Sequence, residues 1–329
     1  MKDTDYDRKV RDQISQYENV DIHNLPEIFH YWSNKYIRPR LNQVMGVDGI
    51  GEFYARPFSK AAATSGGRTR FASLGSGDSS IEVDVARRLI TLGVTDFIFD
   101  CFELSPHLRE RAQHNVREAA LESHFRIVES DLNAWKPEAL VYSGVMAHHT
   151  LHHLLNLEQV FSAVKASLAP RGVFVTNDMI GRNGHMRWPE TLRYLEQIWA
   201  FLPERFKYNH QLRRLEEQFV NWDCSTEGFE GIRAQDILPL LNTHFGFRSF
   251  LAFGGIAEIF TDRSFGHNFD RKAAADCAFI DFIQTLNDLL IEHGEIKPTI
   301  MFAVMETSGG ETARWRDWTP AFCARPVVA

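Results

Sequence analysis

The sequence predicts an α/β protein built on a doubly wound, mostly parallel sheet, and three observations carry that reading. Short apolar runs alternate with segments whose apolar residues recur at helical spacing. The first run breaks directly into a glycine turn. Each of the first five runs ends in small or polar residues, as strands do where they leave a sheet. With 329 residues, 44% of them hydrophobic, the chain exceeds one average domain and can bury a substantial core.

The elements follow in order. Residues 71–74 form the first strand, which breaks into Gly75-Ser76-Gly77-Asp78-Ser79-Ser80. A helix over 81–92 sets Ile81, Val85, Leu89 and Leu92 on one face and stops at Gly93. The second strand, 96–102, runs into Glu103. Pro106 then opens a helix near its first turn, where a missing N–H costs nothing, and the helix continues to about 121. The third strand, 125–128, ends at Ser130-Asp131, and the fourth, 140–146, leads into the histidine-rich stretch 148–153 and a helix to about 168. Pro170-Arg171-Gly172 reads as a turn before the fifth strand, 173–176, which ends at Asn177-Asp178.

Beyond Asp178 the alternation is interrupted. Residues 181–233 read as a mainly helical insertion holding Trp188, Trp199 and Trp222, too long for a plain connection. A helical pattern resumes over 236–243, followed by a strand over 248–260, a second helical insertion over 262–294 and a last strand over 299–305, seven strands in all. Residues 1–65 read as helices and loops ahead of the sheet, and no structure is predicted after Glu306. The expected organisation is an N-terminal helical extension (1–65), a core (66–180), an insertion (181–235), the end of the sheet with its own helical insertion at about 262–296 (236–308) and a tail (309–329).

The net charge is -7 and no long basic run occurs, so the electrostatic footprint of a general nucleic-acid binder is missing. Cys101, Cys224, Cys277 and Cys323 lie far apart with no Cys-x-x-Cys pair, which argues against a zinc knuckle or a disulfide framework and fits a reducing compartment. Residues 1–13 lack an apolar signal core, and no apolar stretch approaches the roughly 20 residues of a membrane helix. The expectation is a cytoplasmic protein acting on a small molecule, with no nucleic acid, no membrane, and a homodimer as a compatible assembly.

Parallel strands deliver their carboxyl ends to one edge, and ligands bind in the crevice outside it. Gly75 and Gly77, Glu103, Asp131, His148 and His149, and Asn177 and Asp178 all fall at such ends. Glycines at 75 and 77 let backbone pass close to a ligand, and Glu103 can accept from both hydroxyls of a ribose. A dinucleotide fingerprint requires a third glycine where Ser80 stands, so a pyrophosphate loop fits badly and a nucleoside cofactor without a pyrophosphate fits better.

Together Phe-Ala-Ser-Leu-Gly-Ser-Gly-Asp (71–78), Phe-Glu-Leu-Ser (102–105), Glu-Ser-Asp-Leu-Asn (129–133) and the segment 151–172 resemble the successive motifs of class I S-adenosylmethionine-dependent methyltransferases. The resemblance covers about 71–178 and implies a Rossmann-like fold with S-adenosylmethionine as cofactor. It implies that Gly75 and Gly77 pack against the methionine part, that Glu103 binds the ribose with Leu104 against adenine, and that Asp131 meets the adenine amino group with Leu132 beside the ring. Ala147 and His148 would border the methyl-transfer site. Ser73 stands where the family often has an acid and Ser79 where it often has a third glycine; both would bear on the methionine end, where Asp78 would compensate.

The acceptor side is read from three clusters. His148 and His149 at the end of the fourth strand, and His185 further on, are candidate general bases, because imidazole titrates near neutral pH. His149 and His153 could share a helix face, yet no carboxylate stands at ligand spacing, so no metal is expected. The segment 177–189 gathers Asn177, Asp178, Arg182, His185, Arg187 and Trp188; its arginines suit an anionic acceptor, and Arg187 stacked on Trp188 in an ordered loop is the structural alternative. Tyr54 and Arg56 are expected to contribute to an N-terminal lid. A same-fold transferase of the aminopropyl type and a non-catalytic binding protein remain open beside the methyltransferase reading.

Overall fold

A computed structural model describes residues 5–16, 25–64, 68–226 and 228–325. Helix α1 (Asp5–Gln16) stands apart in sequence from α2 (Glu27–Trp32), which passes through a π-helical turn into α3 (Arg38–Met45). Gly46, at a left-handed φ of 68°, ends α3, and α4 (Ile50–Ala62) then lies against the sheet. The alternation read from the sequence follows: β1 (Thr69–Leu74), α5 (Ser80–Thr91), β2 (Phe97–Glu103), α6 (Pro106–Glu118), β3 (Phe125–Glu129), β4 (Tyr142–His148), α7 (Leu157–Ser167) and β5 (Leu168–Met179). Pro106 occupies the first turn of α6, where the Ser105 hydroxyl accepts from the Leu108 N–H.

The second half differs from expectation in four places. The 181–233 segment is not mainly helical: it holds α8 (Pro189–Phe201), then turns and a small antiparallel pair, β6 (Tyr208–Asn209) with β7 (Arg214–Leu215). Trp199 anchors it, buried, with its indole N–H on Glu216 O at 2.9 Å and its ring 4.9 Å from Phe265. After α9 (Ala234–His244), β8 (Gly246–Phe253) stops where Gly254 and Gly255 take φ of 81° and 129°, and Ala257–Phe260 coils into a 3-10 turn instead of extending the strand. The helix of the next insertion, α10 (Ala274–Glu292), begins 12 residues later than expected, 274 against 262. The stretch expected as a turn at 170–172 lies inside β5, as an irregularity where pairing with β4 shifts between Tyr142 and Gly144 and Arg171 takes a φ of 63°.

The sheet has eight strands, not seven, in the order β10-β8-β9-β5-β4-β1-β2-β3. Strand β9 (Ile300–Glu306) runs antiparallel between β5 and β8; the other pairings are parallel. The extra strand, β10 (Ala313–Arg314), is a two-residue edge element whose exposed side chains carry no period-2 signature, so nothing in its sequence announces it. A last short helix, α11 (Pro320–Cys323), closes the chain. All four cysteines are free, and among the described residues no helix is long and apolar enough to cross a membrane.

Phenylalanines fill the face under α4. The Phe58 and Phe71 rings stack at 4.8 Å and 2°, and a Cβ on Gly144 would fall 2.4 Å from the Phe58 ring, so β4 needs a glycine there. On the other flank, α3 and α10 are joined by a buried Arg40–Asp288 pair, reinforced by the Gln284 amide on Asp288 at 2.7 Å and the Trp32 indole on Gln284 at 2.5 Å. Replacing one partner leaves a buried charge unpaired. Arg40→Met is therefore expected to lower the free energy of unfolding in urea by about 3–5 kcal/mol, and Arg40→Met/Asp288→Leu to regain much of it.

Candidate active site

Strands β1, β2, β3, β4 and β5 present their carboxyl ends along one rim. Gly75 (φ 65°) and Gly77 (φ 54°) both adopt left-handed backbone, but for different reasons. A Cβ on Gly75 would lie 2.5 Å from the Thr150 methyl, so the turn after β1 is pressed against the loop after β4. A Cβ on Gly77 would meet nothing within 4 Å; the space beyond it is open. Its N–H donates to the Glu103 carboxylate at 3.0 Å, and the Ser105 N–H donates to the other oxygen at 2.7 Å. Burial raises the Glu103 carboxyl, while these two N–H groups favour its charged form. Leu104 is half-buried beside it. Asp78 takes the Ser80 N–H at 3.0 Å, and Ser79 turns through a left-handed φ of 57° without a glycine.

On the next strand end, Asp131 accepts from the Asn133 N–H at 2.9 Å and from the Tyr6 hydroxyl at 2.5 Å, with Leu132 buried alongside. Tyr6 belongs to α1, and Gln13 of the same helix reaches His153 Nδ1 at 3.0 Å and accepts the Phe229 N–H at 3.0 Å. One helix thus roofs the rim from the Asp131 end to the histidine cluster. The expected lid residues sit elsewhere: Tyr54 is a fully buried wall residue whose hydroxyl lies 3.2 Å from Ala147 O and 3.1 Å from His148 Nδ1. Arg56 faces solvent on α4 with Glu52 at 3.4 Å, which does not bring it to the rim.

Ala147 is buried, and His148 is held against Tyr54; burial pushes the His148 imidazole down to about 3. His149 is exposed at the rim in a left-handed conformation (φ 49°), its N–H fixed on Asn177 O at 2.8 Å. Asn177 turns its amide onto Met301 O in β9 at 2.8 Å and so serves the sheet instead of the site. Asp178, completely buried, accepts from the Thr150 and Leu151 N–H groups at 2.9 and 2.7 Å and from His152 Nδ1 at 2.6 Å. Burial alone would lower His152, but the Asp178 and Glu230 carboxylates outweigh it and raise the imidazole to about 10.

Beyond Asp178, Glu230 receives three histidines: His185 Nε2 at 2.6 Å, His152 Nε2 at 3.4 Å and His153 Nδ1 at 3.6 Å. The sequence reading missed Glu230, because its neighbourhood is irregular and the histidines stand far upstream. Arg187 is buried and committed to Glu258 at 3.3 Å and His185 O at 3.3 Å, with no hydrogen-bond partner for its Nε among the described residues. Stacking on Trp188 falls to Arg182 and Arg325, at 5.7 and 4.0 Å from the ring centroid, and not to Arg187.

The reading also missed Glu82. It is 2% exposed on the buried face of α5 and accepts from the Ser73 hydroxyl at 2.6 Å, so an acid stands behind the position where the strand itself has a serine. The signal was available: 82, 86 and 89 share a helix face, and a carboxylate in that phase contradicts plain core packing.

This topology, with its glycine turn and rim carboxylate, defines a Rossmann-like domain. Residues 75–176 match the family model described as a methyltransferase domain. Among solved structures, the geranyl diphosphate C-methyltransferase of Streptomyces coelicolor A3(2), in complex with Mg2+, geranyl diphosphate and S-adenosyl-L-homocysteine, is similar at a TM-score of 0.50 and 11% identity, covering 93% of this chain and 98% of that one. The O-methyltransferase of a trans-AT PKS multienzyme of Brevibacillus brevis matches at 0.44 and 11%, covering 87% and 81%. An S-adenosylmethionine-dependent methyltransferase of Mesorhizobium loti matches at 0.41 and 14%, covering 78% and 99%. No curated protein sequence matches the chain.

Burial raises the Glu82 carboxyl from 4.5 to about 7, so between those values the folded ligand-free protein holds a proton that the unfolded chain has released. Stability contributed at this position therefore falls as pH rises from 4.5 to about 7 and is flat above. Glu82→Gln is expected to match the wild type below pH 4.5 and to exceed it above pH 7 by up to about 3 kcal/mol, measured by urea unfolding across that range.

Proposed function

We propose that this chain transfers a methyl group from S-adenosylmethionine to a small, anionic molecule bound under α1 and the 181–235 insertion. The observation that carries the reading is the Glu103 carboxylate 3.0 Å from the Gly77 N–H, beside open space that a side chain at 77 would fill. A ribose needs such an acceptor pair, and a cofactor backbone needs such a gap. Gly75, Gly77, Ser73 and Asp78 would then hold the methionine portion, with Glu82 behind Ser73; Glu103 and Leu104 the ribose and one face of adenine; Asp131 and Leu132 the adenine edge. The unit doing this is 66–180, with 1–65 and the 181–235 insertion as roof and 236–308 completing the sheet.

When bound, the sulfonium supplies an electrophilic methyl group. The protein's share is alignment, exclusion of water and removal of the acceptor proton. Ala147 and His148 would line the transfer position, His148 with its Nδ1 held by Tyr54. Of the three candidate bases, His149 is best placed. Burial lowers its imidazole to about 4, as it lowers His148 to about 3. His149, however, stands exposed at the strand end with its backbone pinned, whereas His148 is held against Tyr54 and His185 is turned onto Glu230. An anionic acceptor would find Arg182 at the mouth, since Arg187 is occupied by Glu258. A roof of this kind encloses a small acceptor better than a polymer.

Calorimetry tests the cofactor half directly. Wild-type protein is expected to bind S-adenosylmethionine and S-adenosyl-L-homocysteine, and Glu103→Ala to weaken both about 10- to 100-fold, the worth of one or two hydrogen bonds to a charged group. A wild type that binds neither would sink the proposal.

A further inference from the structure

We propose that His152, His185 and Glu230 form a binding site for a single first-row divalent metal ion, and that this ion receives an oxygen of the acceptor. The geometry comes first. His152, His185 and Glu230 each offer one ligand atom, and the three atoms all lie within 4.8 Å of one another. Glu230 Oε1 is 2.6 Å from His185 Nε2 and 3.4 Å from His152 Nε2. Bonds of about 2.0–2.2 Å to nitrogen and carboxylate oxygen set neighbouring donors about 3.0–3.5 Å apart, so modest adjustment of the side chains admits an ion.

The second shell is that of a metal site. His152 gives its Nδ1–H to Asp178 at 2.6 Å, which fixes the tautomer and turns the Nε2 lone pair toward His185 and Glu230. Asp178 is in turn held by the Thr150 and Leu151 N–H groups, so the orientation is inherited from β5 and the loop after β4. His185 and Glu230 arrive on two irregular segments joined backbone to backbone. The Gly184 N–H donates to Gly231 O at 2.9 Å, and a Cβ on Gly231 would come within 3.0 Å of the Gly184 nitrogen. A Cβ on Gly184 would collide with Asp223 at 1.9 Å. Both glycines and His185 itself are left-handed, at φ of 65°, 66° and 55°. Unusual backbone here delivers one imidazole and one carboxylate to a third group already oriented.

Charge points the same way. Asp178 and Glu230 put two formal negative charges around the imidazoles of His152, His153 and His185. A divalent ion among neutral imidazoles is a cation placed between those two carboxylates. Two nitrogens and one carboxylate are a donor set for Zn2+ or Fe2+, and leave positions open for an exogenous oxygen ligand. His149 lies next to the cluster, its ring 6.2 Å from that of His152, so an acceptor oxygen on the ion would be polarised beside the proposed base. The ion site stands on its own geometry; only its use on the acceptor rests on the function proposed above.

The test uses the full chain, stripped with chelator and titrated with CoCl2, then competed with ZnCl2, with S-adenosyl-L-homocysteine affinity measured on the same samples. The expected result is uptake of one Co2+ per chain with visible ligand-field absorption, displaced by Zn2+, and a rise in Tm when Zn2+ is added to the wild type. His185→Ala and Glu230→Gln should each weaken uptake by more than about 100-fold, since second-shell partners alone are worth 10- to 100-fold, while leaving S-adenosyl-L-homocysteine affinity intact. No stoichiometric uptake by the wild type, or undiminished uptake in both variants, overturns the site. Should a variant fail to fold, the wild-type absorption and Tm shift still decide. Uptake of Co2+ without S-adenosyl-L-homocysteine binding supports the ion site and counts against the methyltransferase proposal instead; the reverse overturns the ion site alone.

Discussion

The site depends on one buried carboxylate. Asp178, at the carboxyl end of β5, accepts from two backbone N–H groups of the loop after β4 and from the His152 imidazole. Each of those donors is desolvated, and an unpaired one would cost about 1–3 kcal/mol, so the loop has one conformation available. That conformation seats Thr150 against Gly75, with the Thr150 hydroxyl reaching Gly75 O at 3.3 Å. The turn after β1 is thereby set, and with it the Gly77 N–H that meets Glu103. A constraint at one strand end is passed across three others, and at Gly75 the contact leaves no room for a side chain.

This order explains which parts of the molecule can be read from sequence. Strands β1 to β5 carry their own signal, because a buried parallel strand is a continuous apolar run and its end is marked by glycine or a polar residue. Glu103 and Gly77 were found that way, and their contact follows from β2 pairing β1 in register, Phe102 opposite Leu74. Glu230 carries no such signal: it lies between Phe229 and Gly231 in a segment without period, and reaches the histidines only because the insertion folds back. The seventh and eighth strands differ similarly. Strand β9 is an apolar run of buried residues, whereas β10 is exposed and two residues long, so its place at the edge is decided by its neighbour β8 and not by its own composition. The insertion after β5 reads as mainly helical, yet only α8 bears that out. Trp199, on α8, is enclosed by Phe219, Phe260 and Phe265, which lie outside α-helix, because large rings need enclosure and not any one secondary structure.

Backbone conformation marks the acceptor side independently of charge. His149 and His185 both hold left-handed φ, which costs a residue with a Cβ and persists only where surrounding contacts enforce it. In His149 the enforcing contact is its N–H on Asn177 O; in His185 it is the Gly184–Gly231 junction. Asn177, expected at the ligand, instead fastens β5 to β9 through Met301, and so steadies the strand from which both Asn177 O and Asp178 are presented. Residues at strand ends thus divide into those that meet the open rim and those that hold it in place, and Asn177 and Asp178 both belong to the second group.

The roof is attached differently from everything beneath it. The core is closed by aromatic and aliphatic burial, from Phe58 on Phe71 to Trp199 on Phe265. Helix α1 is held at the rim by polar contacts: Tyr6 on Asp131, Asn133 on Tyr6, Gln13 on His153 and the Phe229 N–H on Gln13, with the Tyr6 ring 5.5 Å from Phe229. Hydrogen bonds of this kind contribute about 0.5–1.5 kcal/mol each net of water, less than the burial of one large apolar side chain in the core. Opening is cheapest at the element whose partners water can replace. That element spans the cleft from the Asp131 end to the histidine cluster, where Tyr6 and Gln13 meet the rim.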